Sequence, residues 1–232
     1  MPDAALPMNL RIFYGGTFDP VHNGHLAIAR AARDALDAEV RLLPAADPPH
    51  KGPTHADAHQ RARMLDLAVA GEPGLKVDRR ELRRAGPSYT IDTLQELRAE
   101  LGADAPIVWM IGSDSLGELH TWHRWRELFD YGHVLVVQRP GTHVDLDWVG
   151  MKAPEVRAEV EPRWRDANEL GAAPAGRVAV LPLPQQRLES STELRHRIAT
   201  GGDWRDWVPP SVAGYIERHE LYSSPAAAPA SL

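Results

Sequence analysis

Tyr14-Gly15-Gly16-Thr17-Phe18-Asp19-Pro20-Val21-His22-Asn23-Gly24-His25 is the stretch around which the rest of the chain falls into place. It follows an apolar run, Leu10 to Phe13, broken only by Arg11, and precedes an Ala/Leu-rich segment, Leu26 to Leu36. The first reads as a strand, at about Asn9 to Tyr14, and the second as a helix. A glycine pair where a strand ends is expected to form a sharp turn without side chains, so that an anion can approach main-chain N–H groups at the helix start. His22 and His25, three residues apart at that start, can project from one face toward the same ligand.

Working outward, Val40, Leu42 and Leu43 form a second strand ended by Pro44, which completes a βαβ unit. Ala45 to His59, with Asp47-Pro48-Pro49-His50-Lys51-Gly52-Pro53, has no apolar period and reads as a loop at that strand's carboxyl end, where open parallel sheets bind ligands. Ala62, Leu65, Ala68 and Val69 indicate a helix stopped at Gly71, and Leu75 to Val77 a short strand. The run Arg84 to Leu94 opens a helix that Leu97 and Leu101 continue to Gly102. The strand Ile107 to Ile111 then meets Gly112-Ser113-Asp114. Val134 to Val137 is a strand halted by Arg139-Pro140-Gly141.

Residues 141–177 read as an insertion with one helix around Glu155 to Leu170. Val178 to Leu183 is the next strand, Ser190 to Arg195 opens a helix closed by Gly201-Gly202, and a last helix spans about Ser211 to His219. Strands alternating with helices predict an α/β fold: a doubly wound, mostly parallel sheet with helices on both faces. One domain is expected over 9–222, with flexible termini at 1–8 and 223–232.

With 232 residues, 43% hydrophobic and 25% charged, the composition is that of an ordinary globular protein. A net charge of −6 and a pI near 6.0 argue against a nucleic acid polymer as the main partner, so a phosphate ligand must be held by focused groups. There are no cysteines, hence no disulfides or thiolate metal sites. Met1 to Met8 has no signal-peptide pattern, and no run reaches the roughly 18 to 20 apolar residues of a membrane span. The cytoplasm is the expected compartment. The sequence does not set an oligomeric state.

A glycine turn, a histidine pair and a Ser/Thr helix cap are each common structural features. Here they join Lys51 and Arg195 at the expected carboxyl ends of strands, where together they can surround one polyphosphate. A zinc site is disfavoured because no Cys and no His-Glu-x-x-His helix completes it. Gly112-Ser113-Asp114 lacks the second glycine of a nucleophile elbow, and no Walker sequence is present.

Gly15-Gly16-Thr17-Phe18-Asp19-Pro20-x-His22-x-Gly24-His25, with Ser190-Ser191-Thr192-x-Leu194-Arg195, resembles the nucleotidyltransferase superfamily that carries the His-x-Gly-His signature. Gly86-Pro87-Ser88-Tyr89-Thr90-Ile91-Asp92-Thr93-Leu94, Pro48 to Lys51 and Thr121-Trp122 resemble the bacterial nicotinate-nucleotide adenylyltransferases within it. The resemblance implies adenylyl transfer from ATP to nicotinate mononucleotide, giving deamido-NAD and pyrophosphate. It implies ATP contacts at Gly15, Gly16, Thr17, Phe18, Gly112, Asp114, Ser191 and Thr192, with His22, His25 and Arg195 as the catalytic group. The acceptor would meet His50, Lys51, Thr90, Trp122 and His123. Mg²⁺ would ride on the ATP phosphates with no protein ligand.

Two positions depart from the family pattern: His123 stands where a Tyr is typical, and Glu189 where an apolar residue is usual. Glu189 is expected to turn to solvent or pair with Arg187. A sister enzyme acting on nicotinamide mononucleotide or phosphopantetheine, and a nucleotide-binding regulator without turnover, are the alternatives.

Overall fold

The computed structural model describes residues 10–47, 54–138, 141, 143–184 and 187–223. The loose ends expected at 1–8 and over most of 223–232 fall outside these residues, as do His50 and Lys51.

Side-chain caps and left-handed residues mark several of the helix ends. Helix α1 (Asn23–Leu36) follows strand β1 (Arg11–Gly16); His22 caps its start and a left-handed Asp37 ends it. After β2 (Glu39–Pro44), Asp57 and Gln60 form a reciprocal capping box at the start of α2 (Ala58–Val69). Then come β3 (Leu75–Val77), a 3₁₀ turn over Arg80–Arg83, α3 (Thr90–Leu101), β4 (Ile107–Gly112) and the short α4 (Ser113–Gly117). The second half holds α5 (Leu128–Tyr131), β5 (His133–Gln138), α6 (Leu146–Lys152), α7 (Pro154–Val160) and β6 (Val178–Pro182). Helix α8 (Ser191–Thr200) starts at the Ser190 cap and stops at a left-handed Gly201, and α9 (Pro210–Arg218) closes the fold.

Among the described residues the six strands form one sheet in the order β3-β2-β1-β4-β5-β6, every pair parallel. The chain winds outward from β1 in one direction, returns to β4, and winds outward in the other. The two halves part between β1 and β4, so a crevice opens at their carboxyl ends.

Alternation along β1 builds both cores. Ile12, with Val40, Leu42 and Met110, packs against α1, α2 and α9 through Leu26, Leu65 and Ile216. Phe13, with Leu43, Trp109 and Ile111, packs against α3 and α5 through Leu94, Leu97 and Phe129. Burying each such side chain stabilises the fold by about 1.5 to 3 kcal/mol.

The stretch 141–177 differs from the single helix expected around Glu155 to Leu170. Ala153 is extended and separates α6 from α7, Pro154 starts α7, and 3₁₀ turns at Glu161–Arg163 and Ala167–Ala172 follow. Pro162 cannot supply the N–H that a continuing α-helix requires. Val149, Val156 and Val160 are fully buried against the face that holds Phe13.

His133 ties this crossover to β5. Its Nε2 donates to the Ala173 carbonyl at 2.8 Å, and its Nδ1 accepts the Arg177 N–H at 3.0 Å, which satisfies a neutral ring. Burial lowers its pKa from 6.5 to about 4, against the opposing pull of the Ala173 carbonyl. The unfolded chain therefore binds a proton near pH 6.5 that the folded chain refuses until about pH 4. Stability from this residue is intact above pH 6.5 and declines between pH 6.5 and 4, by on the order of 3 kcal/mol in total. Urea unfolding of His133→Gln is expected to show a shallower loss over that window; a parallel loss would contradict the assignment.

Candidate active site

A cavity of about 650 Å³ lies at the carboxyl ends of β1 and β4. Gly15 to Phe18 and His25 form one wall, Gly112 and Asp114 a second, Ser191, Thr192 and Arg195 a third, and Thr90 and Trp122 a fourth. Stretches far apart in sequence thus meet in one place.

The glycine pair does not make the turn that was expected of it. Both glycines belong to β1, and the chain turns at Phe18, whose φ is +51°, and at the cis Asp19–Pro20 bond. Gly15 lies on the sheet face of Phe13, where the Trp109 ring crosses it: a Cβ there would sit 2.3 Å from Trp109 Cζ2. A Cβ on Gly16 would meet the Phe18 ring at 3.0 Å. The glycines make room for two aromatic rings, and the rings shape the cavity floor.

The histidines cap their own helix. His22 Nδ1 accepts the His25 N–H at 3.4 Å, and His25 Nδ1 accepts the His22 N–H at 3.3 Å. The imidazoles stack with centroids 3.6 Å apart, and the Phe18 ring meets His25 edge-on at 5.0 Å. An accepting Nδ1 puts the proton of a neutral ring on Nε2. His25 borders the cavity. His22, only 3% exposed, stands behind it and lines a smaller cleft with His25, Arg187 and Glu189. There Glu189 pairs with Arg187 at 3.6 Å, one of the two arrangements expected of it.

Arg195 reaches across from α8. Its Nη1 donates to the Asp19 carbonyl at 2.6 Å, Ser191 Oγ donates to the Pro20 carbonyl at 3.0 Å, and both contacts hold α8 against the turn. At the far end, α3 starts at Thr90, which borders the cavity, and Tyr89 gives that helix start no side-chain cap hydrogen bond. Trp122 is half-buried at the rim. His123 is exposed with its ring 4.4 Å from that of Tyr89, outside the cavity lining.

Several residues with a part in the site were given none by the sequence reading. Asp19, 5% exposed, borders the cavity, and its carboxylate is taken up by protein donors. It accepts the N–H groups of His55 and Ala56 at 2.8 and 3.1 Å and the Tyr222 hydroxyl at 2.8 Å. Arg61, fully buried, donates to the carbonyls of Thr17, Ala46 and Ala56. Burial pulls its pKa down and Asp19 pulls it back up, and a guanidinium in that setting keeps its charge. Glu81 also borders the cavity, 4% exposed.

A doubly wound sheet with a cavity at its switch point, bordered by His25, His55, Arg195 and the start of α8, and also by Asp19, Glu81, Asp114 and Glu118, fits a nucleotide-handling protein of the nucleotidyltransferase class. The cytidylyltransferase-like family model matches residues 13–197. A Stenotrophomonas maltophilia protein named "Probable nicotinate-nucleotide adenylyltransferase" is 52% identical over 224 residues, covering 94% of this chain and 99% of its own. One of the same name from Laribacter hongkongensis is 47% identical over 212 residues, covering 91% and 93%. Among solved structures, Plasmodium falciparum nicotinic acid mononucleotide adenylyltransferase complexed with NaAD superposes with a TM-score of 0.71 at 17% identity, over 94% of this chain and all of that one, a likeness of fold. The chain belongs to the cytidylyltransferase-like family and, within it, to the nicotinate-nucleotide adenylyltransferases.

Proposed function

We propose that residues 9–222 act as one nucleotidyltransferase unit that joins ATP to nicotinate mononucleotide. The 5′-phosphate oxygen of the acceptor attacks the α-phosphorus of ATP, the bond to the bridging oxygen of the β-phosphate breaks, and pyrophosphate leaves with that electron pair. The nucleophile is already an anion, so no protein base is needed. The protein's task is to align two repelling anions and to stabilise charge on the leaving group. One observation carries this reading: a single cavity is bordered by His25, by Arg195 and by the Thr90–Trp122 rim.

In this reading His25 Nε2 donates to the ATP phosphates, and His22 holds that ring in place by stacking and capping. Arg195, with the N–H groups near Ser191 and Thr192, receives the departing pyrophosphate; an arginine carries further donors beyond the one spent on Asp19. The adenosine lies by Gly112 and Asp114. The pyridine ring stacks on Trp122, and its carboxylate meets N–H groups near Thr90 and His123. His50 and Lys51 serve the acceptor phosphate. Among the described residues no three His, Asp or Glu side chains gather in a metal-binding group. Mg²⁺ would travel on the phosphates, where it would neutralise charge. No described helix is long and apolar enough to cross a membrane, and we place the reaction in the cytoplasm.

With ATP labelled at the α-phosphorus, the label is expected in a dinucleotide, with one pyrophosphate formed for each. Label released only as AMP, or not transferred at all, would overturn the proposal. Trp122→Ala is expected to raise the Michaelis constant for the acceptor by about tenfold, the loss of one stacking contact, with that for ATP little changed. Steady-state kinetics with each substrate varied checks this, and an unchanged acceptor constant would move the pyridine ring elsewhere.

A further inference from the structure

Asp19 is used twice, and its two uses connect the cavity to the turn that follows α9. Its carbonyl accepts Arg195 Nη1 at 2.6 Å, the shorter of the two hydrogen bonds that place that guanidinium among the described residues; Nη2 reaches Thr192 Oγ1 at 3.5 Å. Its carboxylate accepts the N–H groups of His55 and Ala56 and, on Oδ1, the Tyr222 hydroxyl at 2.8 Å. Whatever fixes the Asp19 side chain therefore also fixes the carbonyl against which Arg195 rests. The other end of the same turn has its own support, since Arg61 Nη1 donates to the Thr17 carbonyl at 2.6 Å.

Tyr222 reaches Asp19 through an unusual backbone. After α9 the chain passes through Glu220 at φ +50° and Tyr222 at φ +65°, the left-handed region that residues other than glycine rarely adopt. The Leu221 N–H donates to the Ile216 carbonyl at 3.0 Å, and the turn carries Tyr222 inward until it is 7% exposed. Burial, and then the Asp19 carboxylate, push the Tyr222 hydroxyl up, so it stays protonated and donates. A phenylalanine would fill the same space in the core; what the hydroxyl adds is a fixed direction for the Asp19 carboxylate. We propose that Tyr222 is a positioning residue for the phosphate end of the cavity, setting Asp19 and, through the Asp19 carbonyl, the guanidinium of Arg195 that binds pyrophosphate. This rests on the adenylyl-transfer reading for the identity of the leaving group, not for its geometry.

The test uses the full chain as wild type, Tyr222→Phe, Arg195→Ala and the double variant, each held well below its own unfolding temperature. Tyr222→Phe is expected to weaken binding of inorganic pyrophosphate, measured by titration calorimetry, about fivefold and to lower turnover by a similar factor, with the Michaelis constant for the acceptor within about twofold. In the Arg195→Ala background the same change is expected to have no further effect on turnover, because no guanidinium remains to be placed. A merely structural role would act alike in both backgrounds. An equal loss of turnover with and without Arg195, or unchanged pyrophosphate binding in Tyr222→Phe, overturns the proposal. Should Tyr222→Phe not fold, Asp19→Asn decides with the same signs, since its amide keeps the size of the residue but accepts at only one end. A wild-type protein that binds pyrophosphate but forms no dinucleotide would refute the adenylyl-transfer reading, while the pyrophosphate comparison would still decide the role of Tyr222. A wild-type protein that binds no pyrophosphate would overturn the proposal itself.

Discussion

Replacing His25 with Ala is expected to lower turnover by about 10²- to 10³-fold, with the acceptor's Michaelis constant changed only a few-fold, as for a donor that acts mainly on charge developing in the transition state. The geometry explains why the effect should be that large. His25 is fixed on both sides: its ring lies 3.6 Å from that of His22, the Phe18 edge meets it at 5.0 Å, and its Nδ1 is held by the His22 N–H. A donor so preorganised needs no rearrangement when pyrophosphate begins to leave. The substitution also removes half of the reciprocal cap of α1, so turnover must be measured beside thermal unfolding. Loss of acceptor affinity with turnover preserved would contradict the role.

The second large effect concerns stability. Asp19→Ala removes the acceptor of three groups at once: the His55 and Ala56 N–H groups and the Tyr222 hydroxyl. Stranding buried donors costs about 1 to 3 kcal/mol each, partly relieved where water can enter, so a loss of at least about 3 kcal/mol is expected. For a chain of this length that lowers Tm by on the order of 10 °C. Tyr222→Phe removes only one of those bonds and should lower stability by about 1 kcal/mol, with little further effect in the Asp19→Ala background. Calorimetry on the two single variants and the double one tests the network. Strict additivity would show that the Asp19–Tyr222 bond is not formed.

The succession of strands and helices along the chain was legible because apolar periodicity and turn residues are local properties, whereas the order of the strands within the sheet was not read. Each strand that lines the site ends in residues the sequence marks, Gly15-Gly16 on β1 and Gly112 on β4. The reason for the glycines was not legible: it is Trp109, more than 90 residues away in sequence and adjacent only once β1 and β4 pair. The role of Asp19 was not legible either, because its partners, His55, Ala56 and Tyr222, are distant in sequence. Arg61 offered a clue that was not used, being a cation in line with Leu65 and Ala68 on the buried face of α2. The end of α7 at Val160 could have been read from Pro162, which interrupts the single helix expected around Glu155 to Leu170. The capping roles of the two histidines were out of reach, because histidine is an uncommon N-cap and the pattern expected there is Ser or Thr with Glu.

The central claim is that the acceptor is nicotinate mononucleotide and that the cavity recognises its carboxylate. Pyrophosphate release measured with nicotinate mononucleotide and with nicotinamide mononucleotide, at matched ATP, tests it most directly. A kcat/KM at least tenfold higher for the acid is the expected result. A tenfold preference for the amide, or equal use of both, would contradict the claim.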